Sequence, residues 1–108
     1  YPINHLVVVR DELLAEKPDV ALQLFNAFAA SKKLYVDDLK AGRITAPGHI
    51  DKVHLAAMEF MPDPLPFGVA PNRDTLERLI AHAVTQKIIP GHMSLDDLFA
   101  KPVLDAVA

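Results

Sequence analysis

The chain has 108 residues, 51% of them hydrophobic and 23% charged, with a formal net charge of −3. That length allows one domain or part of one, and the composition is that of a folded chain, not a disordered one. Interspersed charge with no basic stripe excludes the usual signature of nucleic-acid or anionic-membrane binding, no apolar run approaches the ~20 residues of a membrane span, and the lack of cysteine excludes disulfides, thiolate metal sites and a Cys nucleophile.

Leu6-Val7-Val8-Val9 is a short, continuously apolar and largely β-branched run. It predicts a strand over about residues 4–10, of the kind buried on both faces in an α/β sheet. No second convincing strand follows, and one strand cannot satisfy its own backbone groups. The chain is therefore expected to be a piece of something longer, or to pair with another copy of itself. Asp11 can cap a short helix over about 11–17. Pro18 suits the first turn of the next helix, about 18–41. Ala21, Leu24, Phe25, Phe28, Ala29, Tyr35, Val36 and Leu39 recur there at helical spacing. Gly42 is a natural stop. Lys32 falls inside that apolar stripe, and its simplest reading is a stem laid on the core with its ammonium in water.

A loop carrying Pro47-Gly48 leads to a helix over about 51–61. His49 and His54 are not spaced to share a helix face as ligands, so both read as solvent-facing. Pro62, Pro64 and Pro66 then impose an extended, semi-rigid connection. Gly68 permits a bend, and Asn72 is placed to cap a helix over about 72–88 by accepting from the N–H of Asp74 or Thr75. Leu76, Leu79, Ile80, Ala83 and Val84 form its stripe, with His82 off it and exposed. Ser94 caps a last helix over about 94–100.

No complete catalytic constellation is present: no phosphate loop, no Gly-x-Ser-x-Gly elbow, no His-Glu-x-x-His. Two features remain. Asn4-His5 enters the predicted strand, where sheet-edge ligand sites are found. The plainer alternative is a histidine hydrogen-bonded at a strand end. Arg73 stands near a helix N-terminus, where an anion can be held. Its plainer alternative is a surface ion pair with Glu77.

The order Pro2-Ile3-Asn4-His5-Leu6-Val7-Val8-Val9-Arg10, a Pro-led helix with Leu24-Phe25-Asn26-Ala27-Phe28 and Lys32, the block Pro66-Phe67-Gly68-Val69-Ala70-Pro71-Asn72-Arg73, and Ser94-Leu95-Asp96-Asp97-Leu98-Phe99 resembles the 4,5-dihydroxyphthalate decarboxylase-like family. The chain departs from that pattern between Gly42 and Met61, where it lacks a Trp-containing stretch. The resemblance implies a mostly α chain with one or few short β-strands, forming the C-terminal segment of a two-lobed α/β fold of the type-2 periplasmic-binding-protein kind. It also implies a parent that releases CO2 from an aromatic dicarboxylate, with His5 as the catalytic group and Asn4 and Arg73 binding the substrate. No cofactor or metal is implied. The expected partner is a small aromatic carboxylate. Self-association through the orphan strand or an apolar helix face is also expected. The expected location is cytoplasmic, with a periplasmic solute-binding protein as the alternative.

Overall fold

The structure is a computed structural model, and it describes residues 5–108. Those residues are mostly helical, as the periodicity predicts. The helices are α1 (Asp11–Glu16), α2 (Val20–Lys40), α3 (His49–Ala57), α4 (Arg73–Thr85) and α5 (Leu95–Leu98). Single 3-10 turns at Ala70–Asn72 and Lys101–Val103 complete the regular structure.

The long helix α2 is the organising element. Its sides are packed by α1, by α3 and by the Lys101–Val103 turn. It stops where expected. Gly42 takes the left-handed conformation (φ +67), and the N–H of Arg43 reaches back to the Asp38 carbonyl at 2.9 Å. This is the Schellman arrangement that glycine makes without strain. Helix α4 ends the same way with a less suitable residue. Lys87 sits at φ 59 while Ile88 N–H donates to the Ala83 carbonyl at 2.8 Å.

The apolar stripe of α4 behaves as its spacing predicts in part. Leu76 and Ile80 join Val69 and Leu95 in a buried cluster, flanked by Ile89, Phe99 and Leu104. Leu79, which the spacing places in the stripe, is exposed. His82 is exposed as expected.

The segment predicted as a strand is corrected by the structure. Residues 5–10 have no regular secondary structure. No backbone hydrogen bond links residues 5–9 to another described residue. The physical reason is the one the sequence raised: no neighbouring strand is there to pair with. The β pairing present among the described residues is elsewhere. Gly68 and Val107 form an isolated antiparallel bridge. Phe67 N–H donates to the Ala108 carbonyl at 2.7 Å, and Ala108 N–H donates to the Phe67 carbonyl at 3.1 Å. Gly68 is required there. Its φ is +118, and a Cβ would collide with the Ala106 carbonyl oxygen and come to 3.3 Å of the Val107 Cα.

The described core is thin. No large side chain is fully buried. The radius of gyration is 16.2 Å, against about 13 Å for a compact chain of this length.

Candidate functional site

The side of α2 that faces the proline-rich connection carries the best-built polar arrangement. Residue 32 lies on the buried side of a helix whose Ala21, Val36 and Leu39 are buried. The Lys32 side chain is only 8% exposed, far less than the water-facing ammonium of the sequence reading requires. It donates instead to Asp63 Oδ2 at 2.7 Å and to the Leu65 carbonyl at 3.0 Å. It also stands 5.0 Å from the centroid of the Phe67 ring, within cation–π range. Asp63 is shaped to receive it, because its other oxygen accepts the Leu65 N–H at 2.9 Å. Burial pushes the Asp63 carboxyl up. The Lys32 and Leu65 hydrogen bonds and the charges of Lys32 and Lys40 outweigh it, and the group is held below the usual carboxylate range.

An open groove of about 440 Å³ runs along this side, lined by Ala29, Lys32, Lys33, Val36, Lys40 and Asp63 among others. Lys33 on its rim is paired with Asp37 at 2.6 Å. Chemically, Lys32 is a paired ammonium, not a free amine, so it is not placed to act as a nucleophile. Its geometry fixes the Pro62–Pro66 connection against α2.

A second cluster joins α2 to α3. Tyr35 Oη donates to Asp51 Oδ1 at 2.7 Å and lies 2.9 Å from His54 Nδ1. Asp51 can only accept, so the phenolic proton goes to it, and His54 must present Nδ1–H to the Tyr35 oxygen. The two rings meet edge to face, 5.7 Å apart at 78°. Asp51 Oδ2 also accepts the Gly48 N–H at 2.8 Å, tying off the start of α3. The Tyr35 phenol is pushed up to about 12, by burial first and then by the hydrogen bond and charge of Asp51. The Asp51 carboxyl is lowered, chiefly by the Tyr35 hydrogen bond and then by the Gly48 N–H. A phenol that hard to ionise is a poor proton donor near neutrality. The cluster serves as a polar pin between helices.

His54 is 7% exposed, which corrects the solvent-facing reading of the sequence. A signal was available. Asp51 and His54 are three apart on one helix and share a face. That Tyr35 closes the cluster depends on how α2 packs on α3, which no local pattern encodes.

The block Pro66–Arg73 is built differently from its sequence reading. Asn72 does not cap α4. Its Nδ2 donates to the Pro66 carbonyl at 2.8 Å and the Gly68 carbonyl at 2.9 Å. The preceding 3-10 turn leaves Asn72 at φ −112, ψ 4, outside the extended conformation a capping side chain needs. The amide therefore faces back into the turn and holds its carbonyls.

Of the residues singled out for chemistry, Asn4 lies outside the described residues. His5 is exposed at the start of the irregular segment. Arg73, with a side chain 46% exposed, makes ion pairs with Glu77 at 3.5 Å and Asp96 at 3.4 Å. Neither His5 nor Arg73 lines the Lys32 groove. No described group of His, Asp or Glu is arranged to hold a metal, and no described helix is long and apolar enough to cross a membrane. No protein-family model, curated protein or solved structure matches this chain.

Proposed function

We propose that this chain is the C-terminal part of a 4,5-dihydroxyphthalate decarboxylase-like protein with a two-lobed α/β fold. One observation carries the reading. One of the two stretches that carry the resemblance most specifically, the block Pro66–Arg73, is a constrained unit: Asn72 clasps the carbonyls of Pro66 and Gly68, and Gly68 adopts a φ of +118. That constraint supports reading the block as a motif.

In this reading the substrate is an aromatic dicarboxylate. One carboxylate leaves as CO2, its bonding pair passes to the ring carbon, and a proton replaces it to give protocatechuate. His5 supplies that proton, with Asn4 beside it as a substrate contact. Arg73 offers a cation for the retained carboxylate once its exposed partners are exchanged. No cofactor enters the proposal. The protein is assigned to the cytoplasm. A second reading, a transporter's solute-binding component that performs no chemistry, draws on a specific feature. The best-built polar groups, Lys32 with Asp63 and Tyr35 with Asp51 and His54, are all paired internally.

The test is CO2 release from 4,5-dihydroxyphthalate by the longer parent polypeptide, wild type against His5→Ala. A loss of about 100-fold or more in turnover is expected for removal of a general acid. Equal turnover by the variant removes His5 from the mechanism. Tight binding without CO2 release selects the binding-protein reading. The 108-residue chain alone is expected to be inactive.

A further inference from the structure

We draw no further inference here: the strongest candidate, the open groove along α2 beside Lys32, Lys33 and Lys40, carries nothing, because its Lys32 and Lys33 ammoniums are already paired with Asp63 and Asp37 and nothing in the structure shows what fills it.

Discussion

Gly68→Ala tests whether the tail at residues 104–108 is held by the turn it pairs with. The added methyl meets the Ala106 carbonyl and the Val107 Cα, and the backbone sits at φ +118. Strain for a non-glycine residue there costs about 1–3 kcal/mol. Displacing the tail breaks the reciprocal Phe67–Ala108 pair, at about 0.5–1.5 kcal/mol for each hydrogen bond. Reduced freedom of the unfolded chain returns about 0.4–1 kcal/mol. The net loss is about 3 kcal/mol, a large part of the ~5–15 kcal/mol of an ordinary domain. Gly42→Ala is the control. Its φ is +67 but a Cβ there meets nothing within 4 Å, so only the strain remains, about 1 kcal/mol net. Urea titration of both variants should separate them by about 2 kcal/mol. In Gly68→Ala the Phe67 and Ala108 amides should also lose exchange protection. If Gly68→Ala costs no more than Gly42→Ala, the tail is not seated on the turn and the reasoning fails.

Other substitutions probe the polar pins. Lys32→Met keeps the stem and leaves Asp63 unpaired. Asp63 is 37% exposed, so about 1–2 kcal/mol is expected and not the larger cost of a fully buried pair. The folded Asp63 carboxyl lies below 3.8, so its contribution is present above that pH and is lost as pH falls through the folded value. The melting curves of wild type and Lys32→Met should therefore converge in acid, and a constant gap down to pH 2 would count against the pair. Tyr35 titrates near 12 when folded, against 10.0 for a free phenol. Its share of stability is present below pH 10 and falls as pH rises toward 12, so Tyr35→Phe should lose less melting temperature than wild type between those limits. Lys87→Gly relieves a left-handed lysine (φ 59) at the end of α4 and should raise stability by about 0.5–1 kcal/mol in denaturant titration. A loss would mean the lysine stem contributes more than the strain costs.

The helices were legible because their signals are local. Gly42 ends α2 through its own backbone freedom, and Ser94 caps α5 by accepting the Asp96 N–H at 3.3 Å. The Leu and Ile spacing of α4 marked Leu76 and Ile80 correctly. Helix boundaries were less so. The residues expected as helix through Met61 leave it after Ala57. Residues 58–60 continue as tighter turns, with the Glu59 and Phe60 N–H groups donating to the Ala56 and Ala57 carbonyls three residues back. The polar clusters were illegible for a different reason. Lys32 and Asp63 are 31 residues apart, and Tyr35 and His54 are 19 apart. Nothing in the spacing within one helix reveals a partner on another. Asn72 shows the limit of a rule that is right on average. Its residue type and position fit a cap, but the 3-10 turn before it sends the amide the other way.

The polar pins do local work. A hydrogen bond to a charged group contributes about 1.5–3 kcal/mol, and less where a partner is as exposed as Asp63. What they do is fix geometry. One holds the proline-rich connection to α2, and the other holds the start of α3 to the same helix. Removing a pin should therefore loosen the segment it holds more than it lowers global stability. In Lys32→Met the Leu65 amide, which donates to Asp63, should exchange faster, while the melting temperature falls by only about 4–8 °C per kcal/mol lost for a domain of this size. Unchanged exchange at Leu65 would mean that Lys32 does not hold the connection in place.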